Sequence, residues 1–585
     1  MRFKENYVKF YSLLHPWRYL SMFLVAAFAI YWNSLHSEFL GDDYGRISTS
    51  AKQLFEQGLD VTLAELLPDR PFLTFTVWLN WKISGLDYFA FKATNIVLHG
   101  LCGFALFKLL TRLSRRHFYK SNEGLALVLG ILFVVHPVAT QSLNHIIQRG
   151  VLLSALFAIT SFYYFLQFLE SGQRRDYLFC FLAMFLGIIS KPFVITLPLI
   201  FAAYVLIFHK KIKTKDLMKW ILPLMVLALI PSLFLFGLKS NTQNLALPWY
   251  QYLIIQARVI FIYFRLFLLP INLHFLYSIE PDATIFKNLT WLAILGHVGI
   301  LALSRFLIKK NPLVTFAIFA MYLALLSESG VFPIEHLVFE HRTYFPYVFI
   351  FIGIWAAIMH LKESARKIIV TAIIPIIFAF SFLTIERNGE TDTFLKWVLN
   401  TLSYNSNDHV VNIRLIELLH EYKDSESVKA ATSFLLKKHP DHGLYTVWNK
   451  TTEYPALSKA EKKKNLEFLG YALIENSGRK TSQASTLFLN RIFIGRVYEV
   501  NDEFQASLFL EKVLASQEPK FIKEPDTYFS IIKFHATVLK YLKGYFEEKL
   551  QKKEQLSSLE LSQYNYVLMN IEKYFNTKEP NLKTN

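Results

Sequence analysis

The sequence predicts an all-α, polytopic membrane protein: a helical bundle of about 11 spans over residues 1–385, then a soluble α-helical domain over 386–585. Three observations carry that prediction. The 585 residues are 53% hydrophobic, with a mean hydropathy of +0.31, more apolar surface than a soluble core hides. Apolar runs of about 18 residues, enough to cross a bilayer, recur throughout the first 385 residues. The net charge of +17 gathers in short loops between those runs: "TRLSRRHFYK", "SGQRRD", "HKKIKTKDLMK", "SRFLIKK" and "LKESARK". Loops of that kind mark the cytoplasmic side. The basic balance therefore reads as topology, and nucleic-acid binding, which needs a continuous basic face, is set aside.

The apolar segments run over 17–36, 88–111, 124–141, 150–170, 177–190, 193–209, 218–238, 251–270, 288–307, 312–329, 343–361 and 367–385. The first, "WRYLSMFLVAAFAIYWNSL", is too long for a signal-peptide core and reads as a retained helix. The segment 251–270 carries Arg258 and Arg265 on one helical face, which predicts an interfacial or re-entrant helix. Setting it aside gives about 11 crossings, keeps the later basic loops inside and puts the C-terminal region outside. Cys102 and Cys180 sit within apolar runs, so no disulfide framework is expected. Beyond residue 385 the periodicity is helical. Two stretches there, "LLHEYKDSESVKAATSFLLKKHPDH" and "GRVYEVNDEFQASLFLEKVLASQEP", share a turn, an Ala-centred helix and a Pro. They read as tetratricopeptide-like hairpins, with an irregular helical domain as the alternative.

The unusual polar residues fall in the outward loops. The first, 36–87, is long for a connection between membrane helices and holds the pair Asp42 and Asp43, with Arg46, Asp69 and Arg70. "HPVATQSLNHIIQR" holds His136, Gln141, His145 and Arg149; "SKPFVITLP" holds Lys191. "SESGVFPIEHLVFEHRTYFP" holds Glu328, Glu335, His336, Glu340, His341 and Arg342. Charges at the edge of the hydrocarbon need a partner, water or a ligand. Acids from one loop and bases from three others point to a polar cavity at the outer membrane face. Carboxylates can take the proton of a hydroxyl nucleophile, and Arg, Lys and His can hold a phosphate leaving group. Interfacial pairing is the plain alternative for Lys191, His136, Asp69 and Arg46. Membrane-embedded His99 reads as a packing residue. No metal motif supports a divalent ion at Asp42, Asp43 and His136, so no metal or other cofactor is expected.

In order along the chain, "FLGDDYGRI", "RPFLTFTVWLNWKISGLDYFAFKATNIVLHG", "HPVATQSLNHIIQRG", "SKPFVITLPL", "QARVIFIYFRLFLLPINLHFLYS", "FEHRTYFP" and "ERNGETDTFLKWVL" resemble one family. It is that of the transmembrane and tetratricopeptide-repeat O-mannosyltransferases, within the GT-C glycosyltransferases. The resemblance implies a GT-C fold, a polyprenyl-phosphate-linked sugar as donor, and a protein or glycan acceptor met on the non-cytoplasmic side. It implies a catalytic base in the first-loop pair, Asp42 and Asp43, with Asp43 preferred. It also implies lipid-phosphate contacts from Arg149 and from Glu340, His341 and Arg342, to which the charge pattern adds Arg70, His136 and Lys191. Gln141, Val151 and Pro192 stand where the family carries acids. The expectation is therefore a membrane glycosyltransferase, with a non-catalytic scaffold or a lipid-linked-sugar transporter as alternatives. Low cysteine content favours a bacterial cell membrane over the endoplasmic reticulum, with the tail outside.

Overall fold

Each predicted apolar segment is helical, wherever its residues are described, in the computed structural model. The structure describes residues 2–119 (except 42, 44–45, 48–49 and 67), 122–209, 218–229, 248–330 (except 278 and 280–283), 334 and 337–405. Beyond these it describes chiefly 425–440, with scattered positions to 569. The chain divides into two compact units, Met1–Thr401 and Leu402–Asn585.

The long helices are α1 (Arg2–Tyr31), α5 (Tyr88–Phe118), α8 (Arg149–Ser171), α12 (Trp249–Leu268), α13 (Thr290–Leu307), α14 (Pro312–Ser329), α15 (Tyr344–Met359) and α16 (Glu363–Gly389). Shorter ones are α2 (Ser50–Gln57), α3 (Leu59–Glu65), α4 (Pro71–Ser84), α6 (Glu123–Val134), α7 (Thr140–Asn144), α9 (Arg174–Ile188), α10 (Leu197–Phe208), α11 (Met218–Leu229) and α17 (Phe394–Tyr404). Among the described residues, seven helical segments are long and apolar enough to cross a membrane. An eighth crossing arises if α6 and the segment Pro137–Asn144, bent by 48°, count as one. The bend falls at His136–Pro137, where the proline removes a backbone donor. The remaining predicted spans are the long helix α1 and three shorter helices, α9, α10 and α11, so the expected count of about 11 is reached only by including them.

The helix boundaries follow from capping chemistry. Asp87 accepts the Phe89 amide at the start of α5, and Asn122 and Asn311 cap α6 and α14. Pro71 and Pro312 occupy first-turn positions. Packing inside the bundle uses small residues where backbones approach. A Cβ on Gly103 would stand 2.4 Å from Val134 Cγ2, and one on Gly130 would stand 2.7 Å from Phe23 Cζ. The contact of α1, α5 and α6 therefore depends on both glycines.

Helix α12 has the length and composition of a crossing helix, and both its ends lie by the 328–340 segment: Tyr252 OH donates to the Glu328 carbonyl, and His274 N–H, just past the C-terminal end, donates to Glu340. Arg265 reaches past the helix end to donate to the Ile271 carbonyl at 3.1 Å. A long side chain can reach the helix end in this way. In the C-terminal unit, helix α18 (Ser425–Lys438) forms the middle of the first repeat-like stretch. The second stretch lies outside the described residues.

Candidate functional site

The site is organised by the turn His145–Gln148, between the bent pair and α8. Its backbone takes the first-loop acid, and its side chain meets the cations. The N–H groups of Ile146 and Ile147 donate to Asp43 Oδ2 and Oδ1, both at 2.8 Å, and Leu40 N–H adds a longer bond of 3.4 Å. These are the free donors at the start of a helix, where a carboxylate is favoured. Asp43 is fully buried. That burial pushes its carboxyl up to about 6, against the pull of Lys92 and the three amides. Asp42 lies outside the described residues.

From the same turn, Gln148 Oε1 accepts from Lys191 Nζ at 3.4 Å. Lys191 also faces Glu328, Nζ to Oε1 3.6 Å. Burial brings the Lys191 ammonium down to about 8; Glu328 opposes that, while Arg70 and Arg342 add to it. His341 stands in the same electrostatic neighbourhood, facing Lys191, Arg342, His145 and Arg70. Arg342 lies over the Phe339 ring at 5.3 Å and donates to the Leu337 carbonyl. Arg70, at the start of α4, is paired with Asp69 at 3.4 Å. Cations from three distant segments, Arg70, Lys191 and Arg342, thus share one electrostatic neighbourhood, with Lys191 facing Glu328.

The other predicted residues do different work. Arg149 is fully buried and its guanidinium is spent within the protein: on Asn95 Oδ1 (2.8 Å), Thr76 O (2.9 Å) and Phe91 O (3.1 Å). It locks α4 and α5 onto α8. His136 is saturated by the Phe267 carbonyl at 3.0 Å and the Val138 amide at 3.3 Å, and stacks on Phe267. Glu340 is buried against Arg387 at 2.6 Å, and its other oxygen accepts from Tyr277 OH at 2.6 Å and His274 N–H at 2.7 Å. Glu335 and His336 lie outside the described residues. Among the described residues, no three His, Cys, Asp or Glu side chains group as metal ligands.

Sequence reasoning gave no role to Lys92, Asn95, Arg387 or Trp397. Lys92 was findable, since a lysine inside an apolar run demands a partner; it donates to the Asn144 carbonyl. The departures from the family pattern also have local reasons. Gln141 accepts the His341 amide with Oε1 (2.8 Å) and donates from Nε2 to the Phe275 carbonyl (2.9 Å). A glutamate there could not donate. Val151 is buried in α8 and Pro192 opens the turn Pro192–Thr196.

A stability test follows from Asp43. With its folded pKa near 6, against an ordinary value of 3.8, the native state keeps a proton between those values that the unfolded chain has released. Its contribution is fully present below about pH 4 and is lost as pH rises through about 6. The thermal midpoint of wild type should fall across that window more than that of Asp43→Asn. Parallel profiles would contradict the buried acid.

The family model described as Dolichyl-phosphate-mannose-protein mannosyltransferase matches residues 68–235. That stretch includes Arg70, His136, Arg149 and Lys191. Protein O-mannosyl-transferase TMTC1 of Homo sapiens is 30% identical over 125 residues, 20% of this chain and 14% of the relative. Protein O-mannosyl-transferase TMTC3 of Homo sapiens is 27% identical over 146 residues, 23% and 15% of the two chains. Protein O-mannosyl-transferase F38B6.6 of Caenorhabditis elegans is 33% identical over 92 residues, 16% and 13% of the two chains. The matched stretches thus span only 13–15% of the length of these curated relatives. No solved structure matches the chain.

Proposed function

With its membrane unit related to dolichyl-phosphate-mannose-protein mannosyltransferases through residues 68–235, we propose that this multi-pass chain is a membrane glycosyltransferase. It transfers a sugar from a polyprenyl phosphate to a hydroxyl of a protein or glycan acceptor on the non-cytoplasmic side. The observation that carries this reading is that Arg70, Lys191 and Arg342, from three distant segments, share one electrostatic neighbourhood, with Lys191 facing Glu328. Buried cations collected from distant segments suit a phosphate that arrives with its charge and leaves with more.

In the proposed step the acid pair takes the acceptor hydroxyl's proton, and the oxygen attacks the anomeric carbon. The bond from that carbon to the phosphate oxygen breaks, its electron pair staying on the phosphate. The attack comes from the face opposite the leaving group, so the sugar's configuration inverts. Lys191, Arg342 and Arg70 neutralise the departing lipid phosphate, with Glu328 turning aside to admit it. Arg149, Glu340 and His136 hold the helices that present these groups. The chain's own cations meet the phosphate charge, so the reading names no metal. As a tethered acceptor-binding module, the C-terminal unit would raise the acceptor's effective concentration. The bacterial cell membrane, with the tail outside, remains the proposed location, on the loop charges and the two free thiols.

The test is transfer from polyprenyl-phosphate sugars in membranes by Asp42→Asn and Asp43→Asn, made separately. At least one should lose about 10²–10⁴ in rate at equal insertion, the usual worth of a general base. With Asp43 as base, the acid limb of kcat/KM should fall near pH 6. Wild-type rates in both variants would rule out the acid pair.

A further inference from the structure

Two polar atoms by the turn that holds Asp43 carry no hydrogen bond within the protein: Nε2 of His145 and Nε1 of Trp397. Both are shielded from solvent, and Trp397 is 3% exposed. Their rings meet edge to face with centroids 5.9 Å apart. Native proteins satisfy nearly all such groups, because a shielded donor or acceptor left unmet costs stability; exceptions concentrate where chemistry uses them.

Neither ring is free to turn elsewhere. Phe394 stacks on the indole at 5.5 Å, and Phe275 packs against the imidazole at 5.0 Å. Burial, with Lys92 and Arg387 nearby, pushes the imidazole down to about 3, so the ring is neutral and keeps an acceptor nitrogen. Gly41 immediately precedes the acidic pair with φ +49°, and a Cβ there would stand 3.4 Å from the indole and 3.7 Å from the imidazole. The loop backbone therefore reaches these rings with no side chain between them.

The geometry points to a hydroxyl subsite: Trp397 N–H donates to a substrate hydroxyl oxygen, and that hydroxyl donates to Nε2 of His145, on the turn that holds Asp43. This inference rests on the glycosyl-transfer reading and deepens it. A hydroxyl is donor and acceptor at once and matches one N–H and one lone pair; an ionised phosphate has no proton to give the imidazole. The hydroxyl belongs either to the donor's sugar or to the acceptor, and the two are separable by experiment.

The test uses the full chain in nanodiscs and reads its thermal midpoint with three probes. They are polyprenyl phosphate alone, polyprenyl-phosphate hexoses (mannose, glucose, galactose), and polyprenyl phosphate with a Ser/Thr peptide. In wild type the hexose or the peptide should add a rise beyond that of bare lipid phosphate, and which of them does so identifies the source. Trp397→Phe and His145→Leu should keep the ligand-free midpoint and lose the added rise. His145→Gln, which restores a polar atom near the Nε2 position, should recover part of it. No added rise in wild type, an added rise that both variants keep, or a ligand-free midpoint lowered in both would overturn the subsite. Failure of bare polyprenyl phosphate to shift wild type counts instead against the transfer reading.

Discussion

Replacing Glu340 by glutamine is expected to cost about 3–5 kcal/mol of folding stability, the penalty for breaking a buried ion pair from one side. Glu340 is fully buried and Arg387 is 5% exposed in its side chain, with Nη2 2.6 Å from Oε2. The guanidinium otherwise faces the Phe275 ring at 5.1 Å, which cannot replace an anion. The same carboxylate gathers Tyr277 and the His274 amide. The substitution therefore loosens three segments at once: the turn entering α15, the end of α16 and the 274–277 loop. Chemical denaturation in detergent should show Glu340→Gln and Arg387→Gln each strongly destabilised. The double variant should be less so than their sum, because neither buried charge is then stranded. A single variant within about 1 kcal/mol of wild type would contradict the buried pair.

The second large effect is on chemistry. Lys191→Gln and Arg342→Gln are each expected to lower transfer by about 10²–10³, the loss found when one preorganised group facing developing charge is removed. Their structural roles are small by comparison. Lys191 has only Gln148 at 3.4 Å and Glu328 at 3.6 Å. Arg342 donates to the Leu337 carbonyl at 3.3 Å and otherwise meets the Tyr252 hydroxyl and the face of Phe339. Melting should change little while rates collapse, and Lys191→Arg should retain more activity than Lys191→Gln. Equal losses of stability and rate would instead make these residues structural.

The fold was largely legible because its signal is local. An apolar run declares a helix whatever it packs against, and the predicted runs are helical over their described residues. The site was legible by kind more than by role. Arg70, Lys191, His341 and Arg342 come together as their loop positions suggested. Arg149, Glu340 and His136 have the same residue types in equivalent loops, yet are saturated inside the bundle. A motif cannot tell an arginine held by three protein acceptors from one held by a single carbonyl. That difference is made by Asn95, Thr76 and Phe91, which lie far away in sequence. Trp397 was invisible for the opposite reason: an indole in an amphipathic stretch looks like packing until its N–H is found without a partner.

The account stands or falls on Arg70, Lys191 and Arg342 receiving a lipid phosphate. Equilibrium binding of polyprenyl phosphate to the full chain in nanodiscs measures that directly, comparing wild type with Lys191→Gln/Arg342→Gln. Saturable binding by wild type that weakens at least tenfold in the double variant, with the melting midpoint retained, is the predicted result. Equal affinity in the two proteins, or no saturable binding in wild type, would contradict it.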